Sequence, residues 1–153
     1  MLSLPKVLIV EDDAAIRAML TAALTREPLL VDTACDGVGG LEQLAASSYA
    51  VIVVDLMMPR MDGYAFLEAF RNLPLPVRPV VFVMTAYDDA ALLKLDGSLV
   101  HGSFKKPFDL DSVVTLIRDA AHALHGTTPP PAAIAPEAPS VDEVVLPDSG
   151  VAC

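Results

Sequence analysis

Acids stand where apolar runs stop. Val7-Leu8-Ile9-Val10 runs into Glu11-Asp12-Asp13, and Val51-Ile52-Val53-Val54 runs into Asp55. A further run, Val80 to Met84, stops at Thr85, and Phe104 is followed by Lys105-Lys106-Pro107. If these runs are parallel strands, their ends point the same way, and acids from two neighbouring ends share one pocket. Crowded carboxylates repel, and at least one pKa rises unless a cation intervenes. A divalent metal supplies that cation, and oxygen-only donors suit Mg2+. With the metal and the Lys106 ammonium nearby, the pocket attracts a phosphoryl group. Thr85 could donate its hydroxyl to a phosphoryl oxygen, and Asp55 could accept the group as an acyl phosphate. In-line transfer of this kind depends on positioning and charge neutralisation.

Those side chains need elements to hold them. Apolar runs recur at 6–10, 29–34, 50–54, 79–84 and, more weakly, 101–104. Their β-branched content favours strands. Apolar residues between them take helical spacing. These are Ile16, Leu20 and Leu24; Leu41, Leu44 and Ala45; Phe66, Leu67 and Phe70; a short segment at 88–95; and Leu110, Val113, Val114, Ile117, Ala121 and Leu124. Gly39-Gly40 weakens the start of the second helix, since each glycine costs about 1 kcal/mol relative to alanine. Strands alternating with helices predict right-handed crossovers and a parallel sheet covered on both faces. The expected fold is α/β: a doubly wound five-stranded parallel sheet, order 2-1-3-4-5, of flavodoxin-like size. Ligands in such sheets sit beyond the carboxyl ends of the strands, where these acids lie.

The 153 residues are 54% apolar and 20% charged, enough for one well-filled core. A net charge of -10 opposes nonspecific attraction to DNA or to an anionic membrane surface. Cys35 and Cys153 are too few for a disulfide framework, and no Cys/His spacing resembles a zinc site. No apolar stretch approaches the roughly 18 residues of a membrane span, and the N-terminal run makes a poor signal peptide. The expected location is cytoplasmic. Composition changes after Leu124: residues 126–153 hold six prolines and no Lys or Arg, with acids at Glu137, Asp142, Glu143 and Asp148. Proline at this density opposes both helix and sheet. The expected division is a domain over 1–125 and a proline-rich, acidic, disordered tail over 126–153.

Four motifs, "VLIVEDD", "VVDLMMPRMDG", "MTA" and "KPF", stand in order, each after an expected strand. Asp12 and Asp55 are 43 positions apart, and Asp55 and Thr85 are 30 apart. With these motifs the chain, over residues of about 5–124, resembles the receiver domain of bacterial two-component response regulators. The resemblance implies that Asp55 takes a phosphoryl group from a histidine kinase or a histidine phosphotransfer protein. It implies Mg2+ held by Asp12, Asp55 and the Met57 backbone carbonyl, with Glu11 acting through water. The family often places an arginine five residues after the second ligand. Arg17 then selects Glu11 and Asp12 and leaves Asp13 to cap the first helix. Lys106 would contact the phosphoryl group, and Lys106-Pro107 would be cis. Such a domain is no enzyme beyond catalysing its own aspartyl phosphorylation and dephosphorylation. It is a switch in two-component or phosphorelay signalling, read by a protein target the sequence does not name. No DNA or membrane partner is implied, and a monomer or weak homodimer is expected.

The chain also departs from the family. The usual aromatic three residues before the lysine is Ser103, with Phe104 beside it. Thr85 and Lys106 are 21 positions apart, one fewer than the family's usual spacing, which shortens the helix or loop between them. Met57 and Tyr87, two beyond Asp55 and Thr85, occupy positions that, by the resemblance, tune phosphoryl lifetime in relatives. Neither can easily orient an attacking water, so slow loss of phosphate is expected. Ser103 keeps a competing reading open: a receiver-like binding module indifferent to phosphorylation. An aspartyl-nucleophile phosphatase would need an acid at Met57. A flavin site would need a phosphate loop less acidic than "EDDAA". Asp62-Gly63 is read only as a helix start, and His101, His122 and His125 as having no catalytic role.

Overall fold

The computed structural model describes residues 3–58, 60–86 and 97–125. The chain order among them is β1 (Lys6–Val10), α1 (Ala14–Leu24), β2 (Leu30–Ala34), α2 (Gly37–Ala46), β3 (Val51–Asp55), α3 (Gly63–Arg71), β4 (Val80–Thr85), β5 (Gly102–Lys105) and α4 (Leu110–His125). The strands form one parallel sheet of order β2-β1-β3-β4-β5, as the alternation of runs anticipates. The helix expected at 88–95, Tyr87 and the tail at 126–153 lie outside the described residues.

The central strands are apolar between their ends, at residues 7–10, 51–54 and 80–84, because both faces are covered. Side chains alternate between faces along each strand. Val7, Ile9, Val51, Val53, Phe82 and Met84 pack against Leu20 and Leu24 of α1 and Val113, Ile117 and Ala121 of α4. Leu8, Val10, Ile52, Val54, Val81 and Val83 pack against Leu44 of α2 and Phe66, Leu67 and Phe70 of α3. Among the described residues no helix is long and apolar enough to cross a membrane.

Aspartates open the helices. Asp13 Oδ1 accepts from Ala15 N and Ile16 N at 2.8 and 3.1 Å, the cap expected of it. Asp36 and Asp62 do the same for α2 and α3, accepting from Gly39 N and Ala65 N at 2.8 and 2.9 Å. Each satisfies an N–H that the first turn leaves without a partner and places negative charge at the positive end of the helix. The cap and the packing of Leu44 offset the glycine-rich start of α2, which begins at Gly37 and takes in the Gly39-Gly40 pair.

Candidate functional site

Glu11 directly follows β1, and Asp55 is the last residue of β3. Both continue the rows of side chains that face α1 and α4: Val7 and Ile9 lead to Glu11, and Val51 and Val53 lead to Asp55. The pairing of Val10 with Val54 sets the two exits side by side. Glu11 is fully buried and Asp55 is 3% exposed, while Asp12 is exposed. Glu11, Asp12 and Asp55 each offer a carboxylate oxygen, and these oxygens lie within 4.8 Å of one another.

Lys106 reaches both buried acids. Its Nζ lies 3.0 Å from Glu11 Oε1 and 3.1 Å from Asp55 Oδ2. Lys106 N donates to Thr85 O at 2.8 Å, which carries the β4–β5 pairing one residue past the strand and fixes where the side chain starts. The Lys106-Pro107 bond is cis, as the family resemblance implies. Lys105, the adjacent lysine, is exposed on β5.

Backbone groups complete the hold on the acids. Met57 N donates to Asp55 Oδ1 at 3.1 Å, and Asp13 N donates to Glu11 Oε2 at 3.0 Å. Leu56 N donates to Met84 O at 3.0 Å, tying the exit of β3 to β4. Thr85 is buried at the end of β4, on the row of Val81 and Val83. Met57 is 50% exposed, at the lip of the pocket.

Electrostatics follow from two buried carboxylates sharing one ammonium. Burial pushes the Glu11 carboxyl up, the Asp13 N–H opposes it, Asp55 pushes further, and Lys106 opposes; the outcome is about 7. Burial alone would lower the Lys106 ammonium, but hydrogen bonds and charge from Glu11 and Asp55 outweigh it and raise it. The pocket therefore holds more negative charge than one lysine balances. Three carboxylate oxygens, one of them on an exposed residue, match a hard divalent cation that keeps several waters. The residues fit Mg2+.

Two contributions escaped the sequence reading. Arg17 Nη1 donates to the carbonyls of Glu11 and Asp12 at 2.8 and 3.4 Å. The arginine used there to set the register thus grips the acidic turn itself. Gly63 does more than begin α3. Its N–H donates to Leu56 O at 3.0 Å, and a Cβ there would lie 2.6 Å from both Asp55 O and Leu56 Cα. Only glycine lets the helix start come so close behind the aspartate. A glycine directly after a capping aspartate was the available signal, but its neighbour seven positions back was not visible in the sequence.

The arrangement at Ser103 is also explicit. Ser103 is exposed, whereas Phe104 turns inward, 5.4 Å from the Phe82 ring centroid and 6.4 Å from that of Phe108. The aromatic beside Ser103 belongs to the core on the α1–α4 side and does not stand in for one at position 103.

Sheet order and site together define a flavodoxin-like α/β protein with a lysine-bridged acidic pocket at its strand ends. The comparisons are more particular. The response regulator receiver domain profile matches residues 7–118. A probable chemotaxis protein CheY from Rhizobium etli is 31% identical over 121 residues, 78% of this chain and 94% of that protein. The DNA-binding transcriptional regulator NtrC of Escherichia coli is 36% identical over 118 residues, covering 73% of this chain but 24% of NtrC. Among solved structures, the receiver domain of Francisella response regulator 1452 aligns with a TM-score of 0.68 at 27% identity, covering 78% of this chain and 98% of that one. The chain belongs to the response regulator receiver domain family, the receivers of two-component signalling.

Proposed function

We propose that Asp55 is the phosphoacceptor of this receiver. The observation that carries the reading is its setting. It is a nearly buried carboxylate at a rigid strand end, with Oδ1 held by Met57 N and Oδ2 by Lys106 Nζ, beside Glu11 and Asp12. A carboxylate oxygen of Asp55 bonds to phosphorus as the phosphorus–nitrogen bond of a phosphohistidine breaks. The electron pair leaves with the imidazole, which then takes up a proton. Lys106 neutralises charge on the phosphoryl oxygens, and Thr85 donates its hydroxyl to one of them. Glu11, Asp12, Asp55 and the Met57 carbonyl would hold Mg2+, which when bound supplies charge neutralisation between carboxylates and phosphoryl oxygens. Arg17 keeps the acidic turn in shape, and Gly63 keeps the backbone behind Asp55 in place.

The donor is a histidine kinase or a histidine phosphotransfer protein, and the output is a protein contact that differs between phosphorylated and unphosphorylated states. An acidic chain of net charge -10 favours that output over DNA. The domain occupies residues 1–125, with the proline-rich stretch as an appendage, and acts in the cytoplasm. Met57 offers no polar group to an incoming water, so the phosphoryl group is lost slowly.

The test is Mg2+-dependent labelling with acetyl phosphate. Wild type takes up one phosphoryl group and Asp55→Ala takes up none; undiminished labelling of the variant would sink the assignment. The exposed Ser103 favours a second reading, a binding module that ignores phosphate. A partner that binds Asp55→Ala, unphosphorylated and phosphorylated protein equally well would establish it.

A further inference from the structure

The β3–α3 connection is fastened at a point the phosphoryl chemistry does not touch. Asp36, in the β2–α2 turn, is 4% exposed. Its Oδ1 caps α2 through Gly39 N at 2.8 Å, and its Oδ2 pairs with the Arg60 guanidinium. Arg60 lies five residues beyond Asp55, and its φ of 64° falls in the left-handed region that residues with a Cβ seldom occupy. Its side chain is 66% exposed, so water could solvate the guanidinium without Asp36. A second contact lies beside the first. A Cβ on Gly37 would lie 2.7 Å from Met61 Cγ and 3.0 Å from Met61 O, so the turn and the connection touch closely. The other end of the connection is tied by Gly63 N to Leu56 O.

We propose that the Asp36–Arg60 pair is a positioning brace for the phosphoacceptor loop. It holds Arg60 and Met61 against the β2–α2 turn, and so keeps Asp55 and the Met57 backbone in register with Glu11 and Asp12. Neither residue of the pair touches the carboxylate cluster; both act through the loop. The proposal rests on the reading of Asp55 as phosphoacceptor.

Four variants test it: Arg60→Gln, Arg60→Gly, Arg60→Lys and Asp36→Asn. Arg60→Gly accepts the positive φ without strain but also frees the backbone, so agreement between Arg60→Gly and Arg60→Gln isolates the loss of the ion pair. Two readouts are compared beside the melting temperature: amide hydrogen exchange at Met57 and Gly63 in metal-free protein, and the Mg2+ concentration giving half-maximal labelling by acetyl phosphate. The Gln, Gly and Asn variants are expected to exchange about fivefold faster and need about fivefold more Mg2+, the scale an ion pair with one exposed partner sustains. Their rates at saturating Mg2+ fall much less, and Arg60→Lys restores both readouts. Wild-type exchange and Mg2+ requirement in Arg60→Gln and Arg60→Gly overturn the brace. So does a lowered melting temperature with both readouts unmoved, which would assign the pair to helix stability. Should Asp36→Asn fail to fold, the Arg60 variants decide. If wild type takes no label, the phosphoacceptor reading falls and the exchange data alone decide the brace.

Discussion

Replacing Glu11 with glutamine should change how stability depends on pH in the metal-free protein. Glu11 is fully buried, and its carboxyl is raised from 4.5 to about 7, first by burial and then by Asp55. A raised folded-state pKa means that the native state binds this proton more tightly than the unfolded chain does. The resulting stabilisation is complete below 4.5 and is lost as pH rises through about 7. At 1.36 kcal/mol per unit, the full loss is about 3 kcal/mol, and most of it falls between pH 5 and pH 8. Glutamine has no proton to lose, so Glu11→Gln lacks this slope. The assay is urea unfolding followed by far-UV circular dichroism, with EDTA present, from pH 5 to pH 8. The wild-type curve should fall relative to the variant by about 2–3 kcal/mol across that range. Titrating groups away from this pocket are common to both proteins and largely cancel. Added Mg2+ at pH 8 should recover more stability in wild type than in the variant, because ligand binding to the native state adds to its stability. Parallel pH profiles for the two proteins would refute the claim that Glu11 is buried at the expense of its charge.

Gly63→Ala should lose about 1–3 kcal/mol of stability, the usual range for overpacking. Backbone atoms of Asp55 and Leu56 occupy the space the methyl needs, so labelling by acetyl phosphate should fall as well. Unfolding curves and labelling rates check the two effects. Tyr49→Phe should cost about 1.5–3 kcal/mol, the range for a hydrogen bond to a charged group, because it removes the 2.6 Å bond to Asp32 Oδ2. Burial first, and then Asp32, hold the Tyr49 phenol above its usual 10. Wild-type stability should therefore drop as pH rises past 10, and Tyr49→Phe should lack that part of the drop, measured by alkaline unfolding. Met57→Asn should speed loss of the phosphoryl group roughly tenfold, the equivalent of one hydrogen bond to the attacking water. Decay of labelled protein after donor removal checks it.

Much of this was legible because it is local. Runs such as Val51 to Val54 are apolar at every position, which only a doubly covered strand requires, and Asp13 and Asp62 precede their helices as caps do. The parallel sheet followed from the alternation of those runs, and the acids at strand ends followed from the sheet. Glu11, Asp12 and Asp55 do come together, and Lys106 does meet the acids. The start of the second helix reads as weak from glycine propensity alone, because the cap from Asp36 and the packing of Leu44 are not part of that propensity.

Which residues could form the pocket, and which strand ends carry them, is readable along the chain, since strand and helix periodicities are written within a few residues. The energetics come from contacts between distant segments. Lys106 and Glu11 are 95 positions apart, and nothing local says that one ammonium serves both Glu11 and Asp55. That Glu11 is buried while Asp12 is exposed depends on where α1 and α4 close over the sheet. The inward turn of Phe104, the space Gly63 leaves behind Asp55 and the reach of Arg60 to Asp36 are likewise set by how elements approach one another. Such approaches come from packing whole side-chain layers, which no window of neighbouring residues contains.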